Sequence, residues 1–184
     1  MAGDDPSTRV DKVIDPVRCE RILADLEGIS SRTSIHESFI LEGMSRWCSE
    51  EEVEWVTGLL PALDVGDVTG LAYSGITTRL VDRMQAIGGA CIRNFVEARM
   101  VTLEDLIDYD HSNVTVLLIP DFYTGELPAW KRTKLLSMLL GRHAVRQATV
   151  LYISNVEKMK QDYGETLCQH ITETFKPIRG KVCG

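Results

Sequence analysis

Three places in this 184-residue chain set polar side chains directly after an apolar run, where stiff backbone can fix a reacting or ligand-holding group. Leu117-Leu118-Ile119 passes through Pro120 into Asp121, and Leu151-Tyr152-Ile153 passes into Ser154-Asn155. The run Val68–Tyr73 leads into Gly75-Ile76-Thr77-Thr78. A carboxylate so placed can hold magnesium or accept a proton from water, and an amide can sense a phosphate oxygen. A glycine and hydroxyls ahead of a helix can surround an anion with N–H groups. Each place also has a plainer role. Asp121 suits a turn or cap. Asn155 suits the cap of the next helix, where Ser154 and Glu157 have capping-box spacing. Thr77 or Thr78 suits the cap of the helix bearing Leu80, Val81, Met84 and Ile87.

Two further groups invite chemistry. Trp130 beside Lys131, Arg132 and Lys134 is able to stack on a nucleic-acid base, or to pack at a helix start. Glu104, Asp105, Asp108, Asp110 and His111 carry metal-binding side chains, though on a short helix and turn such residues are ordinarily solvated. There is no G-x-S-x-G, no H-E-x-x-H and no paired Cys/His spacing, which sets hydrolase and zinc chemistry aside. The five cysteines are scattered and odd in number, without C-x-x-C, so a reducing cytoplasm is expected rather than a disulfide framework. No apolar run approaches the roughly 18 residues a membrane helix needs, and the polar start MAGDDPSTRV has no secretory h-region. The net charge of −7 is uneven: residues 1–124 balance at −12 and residues 125–184 at +5. A basic last third could meet DNA or an acidic partner, or be an ordinary solvated face.

The elements that must position these residues fall into two regions. After a loose tail over 1–12, residues 13–62 read as three short amphipathic helices. The first opens at Asp15-Pro16 and stops at Gly28, the second opens on a Ser34/Glu37 capping box, and the third opens on Ser49/Glu52 and is closed by Pro61. Residues 63–184 alternate apolar runs with amphipathic helices: strands at Val68–Tyr73, Ala90–Val96, Val114–Ile119 and Ala148–Ile153, with helices over 76–88, from Thr102, from Pro128 to about Arg146, and from Val156 to Phe175. Continuous runs such as Val-Thr-Val-Leu-Leu-Ile fit strands buried on both faces of a parallel sheet covered by helices. Met159, Tyr163, Leu167, Ile171 and Phe175 form a core-facing stripe. The fold class is α/β.

The stretch LLIPDF…W…LLSMLLGRH…ATVLYISNVEKMKQDYGETLCQHITETF resembles the second half of the AAA+ core of the DnaC/IstB-like helicase loaders. Upstream, YSGITTRLVDRMQAIGGACIRNFVEARMVTLEDL sits where that family has its Walker A loop, first helix and second strand, so the likeness spans about 68–180. It implies a P-loop-NTPase-like parallel-sheet core after a small helical region. With the chain stopping at Gly184, no C-terminal lid is expected. Mapped onto this chain, the resemblance puts Ile76 at the phosphate lysine and Pro120 at the magnesium acid. Asp121 falls at the catalytic acid and Asn155 at the sensor, and the arginine-finger segment Thr166–Thr174 has no Arg. Losing lysine, magnesium acid and finger together removes the electrostatic parts of phosphoryl transfer. The resemblance then implies a pseudo-ATPase that needs no cofactor: a protein-binding adaptor in DNA replication or transposition. Its partners would be a replicative helicase or a related AAA+ ATPase, engaged through the exposed faces of the N-terminal helices, with homo- or hetero-oligomers in keeping. Two alternatives stand beside it. One is a nucleotide-binding or hydrolysing enzyme with ATP at Gly75, Thr77 and Thr78 and magnesium nearby. The other is a DNA-binding adaptor using the basic last third.

Overall fold

The structure, a computed structural model, describes residues 19–75 and 77–179. The tail, the Asp15-Pro16 pair, Ile76 and the last residues to Gly184 lie outside the described residues. Five parallel strands, β1 (Gly70–Ser74), β2 (Ala98–Met100), β3 (Val116–Ile119), β4 (Ala148–Ile153) and β5 (Phe175–Arg179), form one sheet in the order β2-β3-β4-β1-β5. The helices are α1 (Glu20–Ala24), α2 (Leu26–Thr33), α3 (Glu37–Leu41), α4 (Glu50–Val65), α5 (Leu80–Arg93), α6 (Leu103–Asp108), α7 (Ala129–Ala144), α8 (Val156–Tyr163) and α9 (Glu165–Thr174), with a 3-10 turn at Met44–Arg46.

The two faces of the sheet sort the sequence by parity, as the strand period of two requires. Leu71, Tyr73, Val116, Leu118 and Val150 face a core built from Ile35, Ile40, Met44, Trp55, Val56 and Ile87, supplied by the N-terminal helices and α5. Ala72, Leu117, Ile119, Leu151 and Ile153 face a second core with Leu106, Leu135, Leu139, Met159, Leu167 and Ile171. Both faces are covered, which is why the central strands read as unbroken apolar runs. Register pairs such as Ala72 with Leu151 and Leu118 with Val150 align the strands' carboxyl ends along one edge.

Several boundaries differ from the sequence reading. Gly28 does not stop the first helical stretch. The chain kinks at Asp25 instead, and α2 runs on to Thr33, ended by Ser34 in the left-handed region at φ 56°. Ser34 therefore cannot cap the next helix; His36 does, its Nδ1 accepting from the Ser38 N–H at 3.2 Å. The Ser49/Glu52 capping box is present, but Pro61 lies inside α4, on the exposed side, and Gly66 at φ 94° ends the helix. The exposed side is where a carbonyl robbed of its helical donor can turn to water. The apolar stretch Ala90–Val96 is not a strand. It is the end of α5 and a turn, followed by the three-residue β2. The expected helix from Val156 to Phe175 is broken at Gly164, φ 96°, into α8 and α9, and Phe175 starts β5, which the sequence reading did not contain.

The composition of α5 explains the misplaced strand. A Cβ on Gly89 would lie 2.0 Å from the Phe39 carbonyl oxygen, and one on Gly88 would lie 2.4 Å from the Ile35 side chain. The two glycines let α3 lie backbone-to-backbone on α5, and the Arg93 guanidinium donates to the Phe39 and Ile40 carbonyls at 2.8 and 3.0 Å. Gly89→Ala removes that closeness while improving helix propensity. It is expected to destabilise by about 1–3 kcal/mol through overpacking against backbone that cannot give. Urea denaturation checks this, and unchanged or raised stability would show that the helices separate freely.

Candidate functional site

Polar residues gather at the carboxyl ends of β1, β3 and β4, three neighbouring strands. The chain leaving β1 crosses by α5 on one face towards β2, and the chain leaving β4 crosses by α8 and α9 on the other face towards β5. That reversal puts the topological switch point between β1 and β4, the usual ligand crevice of open parallel sheets.

The loop from β1 to α5 is short. Gly75 takes φ 76°, a conformation that favours glycine, and its carbonyl accepts from the Tyr152 hydroxyl at 3.1 Å across the crevice. Thr77 and Thr78 do not cap α5. The helix opens later than expected, at Leu80, and Arg79 occupies the N-cap in the left-handed region, φ 54°, with no side-chain cap bond. The Thr77 hydroxyl is buried without a hydrogen-bond partner, and Thr78 is exposed. Arg79 is a cation at the head of α5 that sequence reasoning missed, because it placed the helix start earlier. Its guanidinium lies 5.0 Å from the Trp47 ring centroid and 3.6 Å from Asp82, and Arg46 lies 5.2 Å from the same ring. The first loop's positive charge is thus turned towards the N-terminal helices.

Asp121 and Asn155 are both used as caps. Asp121 accepts from the Leu103 N–H at 2.9 Å, so the end of β3 holds the start of α6. Asn155 is the N-cap of α8, its Oδ1 accepting from the Lys158 N–H at 2.9 Å. The basic group on α7 is dispersed. Arg132 donates to the Asp162 carbonyl at 2.8 Å, Lys131 sits 5.5 Å from the Trp130 ring centroid, and Lys134 is exposed. Trp130 does not pack at the helix start: it is 60 % exposed. In the acidic segment, Thr102 caps α6 through Asp105, Asp110 accepts from Ser112, and His111 is buried with Nε2 3.1 Å from the Asp105 carbonyl oxygen. Among the described residues no group of three or more His, Cys, Asp or Glu is arranged to hold a metal ion.

Directly beneath the β1 loop lies a charged cluster. Glu52, fully buried, accepts from Arg83 Nε at 2.7 Å and Nη2 at 2.6 Å, from the Ser49 N–H at 2.7 Å and hydroxyl at 2.9 Å, and from the Tyr73 hydroxyl. Burial alone would raise the Glu52 pKa, but the bonds from Arg83, Tyr73 and Ser49 outweigh it and hold the carboxyl below its ordinary value. The same burial and the adjacent carboxylate raise the Tyr73 phenol, which stays a donor. The sequence shows Glu52 only as a capping residue; its pairing with Arg83 depends on how α4 and α5 meet.

A five-stranded parallel sheet in this order, with helices on both faces and a switch point beside β1, is a doubly wound α/β fold. No protein-family model matches the chain, and no curated protein matches its sequence. Solved structures do match its fold. The replication initiator DnaA bound to AMPPCP and single-stranded DNA superposes with a TM-score of 0.62 at 11 % identity, covering 76 % of this chain and 49 % of that one. DnaI matches at 0.59 and 13 %, covering 77 % and 92 %, and the DnaC helicase loader at 0.56 and 13 %, covering 75 % and 96 %. The chain spans about half the length of the DnaA chain it matches. The fold is the one seen in the AAA+ domains of DnaA, DnaI and DnaC. Among the described residues, no helix is long and apolar enough to cross a membrane.

Proposed function

We propose that this chain is an AAA+-fold adaptor in DNA replication that binds a protein partner, a replicative helicase or a related ATPase, and does not itself hydrolyse ATP. One observation carries the reading: the polar groups at the carboxyl edge are committed to the fold. Asp121 holds α6, Asn155 caps α8, and Arg79 lies over Trp47. A triphosphate with magnesium needs a lysine or its equivalent aimed at the phosphates and a free acid for the metal. The five-residue connection 75–79 offers one glycine, and Pro120 stands before an acid already in use. These residues do not fit Mg-ATP. The likeness to a helicase loader and to a replication initiator supports the choice of pathway.

The purified chain is expected to co-sediment with the replicative helicase of the organism that encodes it equally well with and without ATP. Absence of a complex, or a complex that needs ATP bound to this chain, would overturn the proposal. A second reading, nucleotide binding at Gly75–Thr78, is favoured by the buried unpartnered Thr77 hydroxyl and by Arg79 at the head of α5. Titration calorimetry with ATP and magnesium separates the two. No saturable heat is expected, whereas micromolar binding lost in Arg79→Ala would establish the second reading. Arg79 serves this test better than Asp121, whose removal also strips the Leu103 N–H at the start of α6 of its acceptor.

A further inference from the structure

Between α6 and α7 the second face carries a cavity of about 570 Å3, lined in part by the 109–112 turn that leads towards β3 and by Gln147 just before β4, and so set at the amino edge of the sheet, away from the β1–β4 switch point. This lies within the roughly 300–1,000 Å3 of ordinary ligand pockets. Its walls are apolar where Leu106, Met138 and Val145 line it. Tyr109 and Val145 at its mouth are 68 % and 64 % exposed, large apolar side chains left in water on both lips. The floor is stiff, because Arg142 and Gln147 are bonded to the backbone of the 111–115 segment. The charges are separated along the groove. Lys134 lies at one end and makes no ion pair among the described residues. Asp110 lies at the other, where its neighbour Ser112 accepts from Gln147.

We propose that this groove seats an amphipathic helix of a protein partner, with its apolar side chains against Leu106, Met138 and Val145, an acidic residue on Lys134 and a basic residue towards Asp110. The shape favours a helix. The α7 wall from Lys134 to Val145 is roughly 16 Å long at 1.5 Å per residue, enough for anchors at i, i+3 or i+4, and i+7. One wall is α7 and the other is the end of α6 with the 109–112 turn; no strand residue lines the groove, so no strand edge is present to recruit an extended peptide. The acidic lip of Asp108 and Asp110 repels a nucleic-acid backbone. The inference deepens the adaptor reading and rests on it for the existence of a partner.

The probe is a fluorescein-labelled helical peptide with leucines at those spacings, glutamates at one end and lysines at the other, titrated with the full chain and followed by polarisation. Saturable binding is expected. Gly141 lines the groove, and a side chain added there meets nothing within 4 Å. Gly141→Leu therefore keeps the fold, since leucine is the better helix former, and obstructs the seat. It should weaken binding about tenfold or more, equivalent to losing about 1.4 kcal/mol of anchor contact. Lys134→Glu should weaken binding of the same peptide, and replacing the peptide's glutamates with lysines should restore it. No saturable binding, or binding indifferent to both variants, would overturn the proposal. So would a dimer of this chain that Gly141→Leu dissolves, because the occupant would then be a second copy. The adaptor reading fails separately: a helicase complex that forms but ignores Gly141→Leu removes only the groove, and micromolar Mg-ATP binding at the β1 loop removes only the adaptor.

Discussion

Glu52→Ala is expected to lower the unfolding free energy by about 3–5 kcal/mol, the loss typical of stripping one partner from a buried ion pair. That is a large share of the roughly 5–15 kcal/mol available to a domain. The substitution leaves the Arg83 guanidinium, only 16 % exposed, without its two carboxylate bonds, and leaves the Tyr73 hydroxyl without an acceptor under the sheet. It also removes one half of the capping box that starts α4. Urea unfolding measures the effect, and a loss below about 1 kcal/mol would show that the cluster is solvated in the native state. Replacing Glu52 and Arg83 together by apolar residues should cost less than Glu52→Ala alone, since no unpaired charge is then left behind. The pH dependence has a definite sign. The folded carboxyl lies below its ordinary value of 4.5, so its stabilisation is complete above that pH and fades as pH falls through the lower folded value. Glu52→Gln should flatten this acid limb.

Arg142→Met is expected to be nearly as damaging, at about 3 kcal/mol, for a different reason. Arg142 is 4 % exposed and has no carboxylate partner among the described residues. Burial pushes its pKa down to about 10, still well above neutrality, so it is charged at neutral pH. Nη1 donates to the carbonyls of His111 and Val114 at 3.2 and 3.0 Å, Nη2 to Ala148 at 2.7 Å, and Nε to the Thr149 hydroxyl at 3.1 Å. One side chain thus ties the chain entering β3 to the chain entering β4. Methionine leaves those carbonyls dry, at about 1–3 kcal/mol for each that water cannot reach. Lysine cannot replace the fork, because a single ammonium does not span both segments. Hydrogen exchange over residues 111–115 should quicken in Arg142→Met more than global unfolding explains. Protection unchanged from the parent would show that the segment is held by other contacts.

The layered α/β plan was legible because its signal is hydrophobic pattern. Runs such as Leu117-Leu118-Ile119 and Val150-Leu151 are strands buried on both faces, and they were found close to their observed positions. What escaped was set by tertiary approach. Ala90–Val96 looks like a strand in isolation, but it continues the helix in which Gly88 and Gly89 let α3 lie on α5. Strand β5, Phe-Lys-Pro-Ile-Arg, has no apolar run to betray it, since it gains its pairing from β1 alone. The site divides in the same way. Asn155 as a helix cap follows from its neighbours in sequence, whereas Asp121 bonding to Leu103, 18 residues upstream, follows only from β2 and β3 lying side by side.

The two borders of the sheet bear on how copies of this molecule can associate. One border is β2, three residues long, and the other is β5, where Pro177 has no N–H to offer a further strand and Lys176 and Arg179 add like charge. Sheet-to-sheet continuation, the path by which parallel strands recruit more strands and precipitate, is therefore blunted at both borders. Among the described residues, strand-to-strand assembly is disfavoured at both borders, and crowding should leave the chain dispersed rather than fibrous.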